Sequence, residues 1–155
     1  MLMEKIWKGC HTTAIDANGA EENISIAWNP VVIELIDSSA CSHATSTSFH
    51  ILGSNIHGHL LNVYCPQPPE IKLQLLQFMS WFSQQHHESQ LIIGGEFNMI
   101  TSLTEKKGLN IISTEYRLFK EDINDCRLVD LQPFACCFTW NNYRGGIHHI
   151  SKILD

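Results

Sequence analysis

Three consecutive segments in the middle of the chain predict a strand, a helix and a second strand, and this order constrains the fold most. The first strand covers residues 59–64 and stops where prolines follow, because proline donates no hydrogen bond to a sheet. The helix begins near Pro69, and its apolar residues recur at three- and four-residue intervals up to residue 86. Residues 90–94 are apolar on both faces, as in a buried strand. A crossover unit in an α/β fold is predicted, with chemistry in the loops at the carboxyl ends of the strands.

The flanking segments predict further strands and one more helix. Residues 23–37 indicate two strands of a hairpin around Asn29-Pro30. Ser113 or Thr114 can cap a helix that ends near residues 124–126 and carries Phe119 on its inner face. Residues 128–131 and 136–140 are predicted as short extended segments, followed by a turn at residues 141–146. Without a repeat or a linker, residues 1–155 are predicted to form one domain.

Composition limits the class of protein. The chain is 44% hydrophobic and supports a core, yet its longest apolar stretches are too short to cross a bilayer. The amino terminus lacks a signal-peptide core, so we expect an intracellular protein, nuclear or cytoplasmic, that is not secreted. Its six cysteines include no Cys-x-x-Cys pair and are predicted to be reduced core thiols.

Two further features of composition bear on function. Of the nine histidines, only the pair in His57-Gly58-His59 has a spacing that places both side chains on one strand face, and most of the others are expected at solvated positions. The net charge of -6 is unfavourable for binding a phosphate backbone directly. A metal-dependent phosphodiesterase can nevertheless be acidic, because carboxylates hold the ions that in turn hold the phosphate.

The segment Gly94-Gly95-Glu96-Phe97-Asn98 directly follows the predicted buried strand. Glu96 and Asn98 are two residues apart and face the same side of an extended backbone. The glycines would let the backbone pass close to a ligand, although an ordinary glycine turn explains the segment equally well. Tyr64 ends the neighbouring strand, where its phenol can donate to a phosphate oxygen or simply lie at the rim of the core.

Candidate binding residues also occur later in the chain. Asn141 and Asn142 follow Trp140, and Lys106 and Lys107 follow Glu105, so connecting segments supply hydrogen-bond donors and positive charge. A solvated turn remains the alternative for the lysines, as core packing does for Trp140.

With these residues in view, the chain resembles the endonuclease/exonuclease/phosphatase superfamily, and within it the plant LINE-type (non-LTR retrotransposon) and apurinic-endonuclease-like branch. The resemblance covers nearly the whole chain. It is carried by collinear segments: Ile26-Ala27-Trp28-Asn29-Pro30, Asn62-Val63-Tyr64-Cys65-Pro66, Ile92 to Ile100, Glu105-Lys106-Lys107-Gly108, Leu128-Val129-Asp130 and Phe138-Thr139-Trp140-Asn141-Asn142.

The resemblance implies a four-layer α/β/β/α sandwich with two mixed sheets, DNase I-like, and Mg²⁺-dependent phosphodiester hydrolysis on DNA. Glu96 takes the place of the general-base aspartate and is a weak candidate metal ligand. Asn98 and Tyr64 take the places of phosphate-binding residues, with Asn141 and Asn142 as further substrate contacts. Asp155 resembles the aspartate that orients the catalytic histidine. No specific protein partner and no membrane are implied.

The chain departs from the family pattern at three points. It has no counterpart of the early Gln-Glu-Thr segment with the main metal ligand, nor of the late Ser-Asp-His segment with the catalytic histidine. Glu96 replaces an aspartate, and a displacement of about 1 Å can cost on the order of a hundredfold in rate. We therefore expect an incomplete domain with impaired or absent activity. A phosphatase-like phosphoesterase of the same fold, or a non-catalytic nucleic-acid or protein-binding remnant, are the alternatives.

Overall fold

A computed structural model describes residues 5, 7–15, 24–107, 114–131, 140–144 and 151–152. The chain divides into two compact units. The first comprises Met1–Tyr64 and Gln85–Gly95, and the second comprises Cys65–Gln84 and Glu96–Asp155. Within the described residues no helix combines the length and apolar character needed to span a membrane.

Strands dominate the first unit, and helices the second. The strands are β1 (His11–Ile15), β2 (Ile24–Trp28), β3 (Ile33–Cys41), β4 (Ala44–Ile51), β5 (His57–Tyr64) and β6 (Gln90–Glu96). β1 pairs with β2, and the other four form a sheet in the order β3-β4-β5-β6. The later elements are α1 (Pro69–Gln85), a 3-10 turn (Leu103–Glu105), β7 (Lys106–Lys107), α2 (Thr114–Asp125), β8 (Trp140–Asn141) and β9 (Ser151–Lys152), with the small sheet ordered β7-β9-β8.

The predicted crossover is confirmed as β5, α1 and β6. A Cβ atom added to Gly58 would lie 2.6 Å from the carbonyl oxygen of Gln90, and one added to Gly95 would overlap the carbonyl of Val63. Because contacts advance along both strands together, β5 and β6 run parallel. With β3, β4 and β5 antiparallel, the four-stranded sheet is mixed, which confirms the α/β class.

The predicted hairpin in residues 23–37 is wrong. Both strands exist, but β2 pairs with β1, and β3 pairs with β4. The Asn29 side chain accepts the Val31 N–H at 3.0 Å and its carbonyl accepts the Ile33 N–H at 2.9 Å, so the turn there leads to a different sheet. β4 escaped prediction because Ala-Thr-Ser-Thr-Ser-Phe-His-Ile lacks an apolar alternation.

Burial follows the predicted faces in the helices but not in β6. Leu75, Met79 and Phe82 of α1 are buried, as expected from their spacing. Phe119 is the buried residue of α2. Ile92 of β6, by contrast, is 53% exposed, so the expectation of a strand buried on both faces is wrong. β6 is the last strand in the sheet order, and the face of the sheet from which the Ile92 side chain projects is open to solvent there.

Two smaller predictions also need correction. Residues 128–131 form no strand and expose Val129 and Leu131 to solvent. The four described cysteines are free thiols, but Cys41 is exposed and Cys126 half-buried, so only Cys10 and Cys65 are core thiols. Cys136 and Cys137, as well as His148 and His149, lie outside the described residues.

Candidate functional site

The loop after β6 is fastened to the residue that follows β5. The Cys65 N–H donates to the carbonyl oxygen of Glu96 at 2.7 Å. The Asn98 side-chain N–H donates to the carbonyl oxygen of Cys65, also at 2.7 Å. Cys65 is fully buried and Asn98 is 8% exposed, so both bonds are shielded from competing water. These two hydrogen bonds fix the backbone of the residue that carries the Glu96 carboxylate.

Backbone conformation explains two residues of this loop. Gly95 has a φ of 128°, and any side chain there would strike the Val63 backbone. Its glycine is therefore required by the neighbouring strand, whereas the sequence had suggested a close approach to a ligand. Asn98 has a φ of 52°, in the left-handed region that asparagine tolerates better than most residues.

The Asn98 side chain holds the loop in position. One of its amide hydrogens is committed to the Cys65 carbonyl, and the residue is buried. Glu96, at the end of β6, is half-buried. The two residues thus belong to one fastened loop of the second unit, but Asn98 is in the left-handed conformation and not in the extended one from which a shared face was predicted. Their catalytic and phosphate-binding roles stay predictions.

Tyr64 is the last residue of β5 and belongs to the first unit. Its backbone N–H donates to the carbonyl of His43 at 2.9 Å, and the residue is half-buried. That environment agrees with a tyrosine at the rim of a core. Its proposed contact with phosphate stays a prediction.

The remaining predicted site residues lie later in the chain. Asn141 lies in β8, and its backbone is opposite Ser151. Asn142 is half-buried, and its side-chain oxygen accepts the Arg144 N–H at 3.3 Å, which is a local turn contact. Asp155 lies outside the described residues.

The Cys65 thiol is unsuited to nucleophilic chemistry. Burial raises its pKa to about 11, with a lowering contribution from Lys72 and a smaller raising one from Glu115. A neutral, buried thiol is a weak nucleophile and a poor metal ligand. Cys65 therefore serves the site through its backbone.

Lys72 and Lys152, which the sequence did not single out, lie in the second unit with Lys106 and add positive charge to it. Lys72 is 6% exposed and pairs with Glu115 at 3.3 Å. Lys106 lies directly opposite Lys152, and the pKa of Lys152 is lowered by burial and then by Lys106 and Lys72, with Glu115 opposing. Like charges in directly opposed positions destabilise a sheet, so this pair gains from an anion. Lys72 lies on the apolar face of α1, and this position in the sequence could have predicted a buried lysine with an acidic partner.

Candidate ligands for magnesium are sparse among the described residues. Among them, no three His, Cys, Asp or Glu side chains are grouped so as to hold a metal ion. Glu105 is buried, but its oxygens accept the Thr101 N–H at 2.8 Å and the Thr101 hydroxyl at 2.6 Å, so they are occupied by the loop itself. Magnesium favours several oxygen ligands in octahedral geometry, and Glu96 alone does not supply them.

Comparison with known proteins identifies the fold. No protein-family model and no curated protein matches the sequence. The endonuclease domain of TRAS1, a telomere-specific non-LTR retrotransposon, is similar over 95% of this chain and 68% of its own, with 14% identity and a TM-score of 0.63. An endonuclease/exonuclease/phosphatase family protein from Bacteroides thetaiotaomicron is 9% identical over 77% of this chain, with a TM-score of 0.56.

The human Nocturnin catalytic domain, solved with bound sulfate, is 13% identical over 97% of this chain and 62% of its own, with a TM-score of 0.52. This chain spans about half the length of the Bacteroides protein, 48%, and of a conserved protein from Enterococcus faecalis, 51%. Identities this low establish the fold and nothing finer. The fold is that of endonuclease/exonuclease/phosphatase proteins, which confirms the expected DNase I-like α/β class.

Proposed function

We propose that this chain is a DNase I-like domain derived from the endonuclease of a plant LINE-type retrotransposon, with metal-dependent hydrolysis of DNA phosphodiesters as its ancestral reaction. The observation that carries the proposal is the similarity, over 95% of the chain, to a retrotransposon endonuclease domain. The ordered motifs from Trp28 to Asn142 support it.

In this proposal the Glu96 carboxylate takes the general-base position, and Tyr64 and Asn98 contribute phosphate contacts. The two hydrogen bonds of Cys65 hold the Glu96–Asn98 loop before substrate arrives, which is the preorganisation that such a site needs. Magnesium is the cofactor that the family resemblance implies. We propose that hydrolysis by this polypeptide is weak or absent, because Glu96 stands where the family carries an aspartate and a displacement of about 1 Å can cost on the order of a hundredfold in rate.

A second candidate, DNA binding without cleavage, is favoured by the Lys106–Lys152 pair. Two lysines held opposite each other lose less by repulsion when a phosphate lies between them. The net charge of -6 restricts such binding to low salt.

One experiment addresses both candidates. Supercoiled plasmid with Mg²⁺ should remain uncut by the 155-residue chain. The same DNA should be retained at low salt and released as salt rises, and Lys152→Gln should weaken retention more than Lys120→Gln, a control on the exposed side of α2. Robust nicking that disappears in Glu96→Ala would overturn the proposed loss of activity. Absence of binding at low salt would refute the second candidate.

A further inference from the structure

Glu34, His50 and His57 form one row across three neighbouring strands. Glu34 of β3 is directly opposite His50 of β4, and His50 is directly opposite His57 of β5. Directly opposed residues of antiparallel strands point to the same face, with Cβ atoms about 4.5–5.5 Å apart. The three side chains, called here the Glu34–His50–His57 row, therefore share one face of the sheet.

The hydrogen bonds of His50 fix which of its nitrogens can bind a cation. Its Nε2 lies 2.9 Å from the carbonyl oxygen of Ser54, which can only accept, so Nε2 carries the proton. In the neutral ring Nδ1 then carries the lone pair, and it lies 3.7 Å from Oε2 of Glu34. A cation between two acceptor atoms at this distance reduces the electrostatic repulsion between them.

We propose that the Glu34–His50–His57 row binds a divalent transition-metal ion of the zinc type. If an ion lay about 2.1 Å from both Nδ1 of His50 and Oε2 of Glu34, the nitrogen–metal–oxygen angle would be about 120°. This is close to the angle between two ligands of a tetrahedral zinc site. The Nε2–H bond to Ser54 is the outer-shell contact that orients metal-binding histidines.

His57 supplies the third ligand. Its ring is stacked on that of His50, with centroids 4.3 Å apart and planes 9° from parallel. His57 is exposed, so its ring can turn a nitrogen towards the ion at little cost in packing. In the described part of the chain no group of three His, Cys, Asp or Glu side chains could hold a metal ion as the side chains stand, so binding requires the His57 ring to rotate. Water completes the coordination in a site with two histidines and one glutamate.

This site differs in place and chemistry from the candidate nuclease loop. His57 begins β5 and Tyr64 ends it, and a strand of this length separates them by about 23 Å. Imidazole nitrogen selects zinc, copper or nickel, whereas magnesium prefers oxygen ligands. The side chain of Glu34 is 61% exposed and that of His50 is 23% exposed, so an ion has access from solvent.

The test is calorimetric titration of the full chain with Zn²⁺ in a non-chelating buffer at neutral pH, with Co²⁺ absorption as a report on the ligands. One equivalent should bind, and excess Mg²⁺ should not compete. His57→Asn and Glu34→Gln each remove a direct ligand. Each should therefore weaken zinc binding by more than roughly 100-fold, since loss of an outer-shell partner alone costs roughly 10- to 100-fold. Circular dichroism confirms that each variant is folded.

The matched control is His87→Asn. His87 Nε2 also lies 3.7 Å from a glutamate, Glu88, but the two side chains are 71% and 89% exposed and belong to the turn before β6. This variant should bind Zn²⁺ as the original chain does. Equal binding by His57→Asn and the original chain, a cobalt–thiolate charge-transfer band, or no binding by the folded chain would each overturn the proposal.

Discussion

The two units of the molecule are stabilised in different ways. The first unit consists mainly of long paired strands around a core in which Leu61 and Thr45 are fully buried. The second unit also buries apolar side chains, among them Met79, and adds polar contacts between separate segments, including Lys72 with Glu115 and Ser80 with Asp122. Both units therefore depend on apolar area removed from water, whereas the buried charged side chains among the described residues, Lys72 and Glu105, lie in the second unit and depend on individual hydrogen bonds and ion pairs. Substitutions of similar size should therefore affect the stability of the two units unequally.

The largest expected effect is in the sheet unit. Leu61→Ala removes a side chain with 0% exposure and should lower the free energy of unfolding by about 2–5 kcal/mol, because it leaves a cavity in the core. Urea unfolding followed by circular dichroism measures the loss. Leu73→Ala, at a position 46% exposed on α1, is the matched control and should cost much less. Similar losses at both positions would contradict the described core.

An intermediate effect on stability is expected in the second unit. Glu105→Ala leaves the Thr101 N–H without its acceptor and should cost about 1–3 kcal/mol of unfolding free energy. Glu105→Gln keeps one acceptor oxygen and should cost less. The control, Glu121→Ala, breaks only the exposed pair with Arg117, worth about 0.3–0.5 kcal/mol. If Glu105→Ala and Glu121→Ala were equal in urea unfolding, the Glu105 contacts would not stabilise the loop.

The smallest effect concerns pH. Burial raises the pKa of Asp122 above its ordinary 3.8, the hydrogen bond from Ser80 opposes this shift, and Asp125 adds to it. A carboxyl whose pKa is higher in the folded state carries a penalty when ionised. That penalty is present at neutral pH and disappears as the pH falls below both pKa values.

Relative to Asp122→Asn, the original chain should therefore gain stability as the pH falls from neutral towards 4, roughly, by less than about 1 kcal/mol because the carboxyl is half in water. Thermal unfolding across this pH range measures the change. Glu121→Gln removes the same charge from an exposed position of α2 and provides the control. A stability difference that is constant with pH would show that Asp122 carries no ionisation penalty.

Local sequence pattern determined the crossover and its loop. The prolines after Tyr64, the helical spacing of Leu75, Met79 and Phe82, and the apolar run before Gly95 each act on neighbours in the chain, so they predicted β5, α1 and β6 correctly. Glu96 and Asn98 lie in one loop because they are two residues apart in the chain, and their shared role stays a prediction.

Tertiary structure alone decided which strands pair and which polar groups meet. β2 and β3 are adjacent in sequence but pair with β1 and β4, and the Glu34–His50–His57 row combines residues from three strands. Asn98 holds the Cys65 carbonyl, 33 residues earlier, a contact that no local period encodes. Helix and turn signals depend on neighbours along the chain, whereas strand pairing and burial depend on segments brought together when the chain folds.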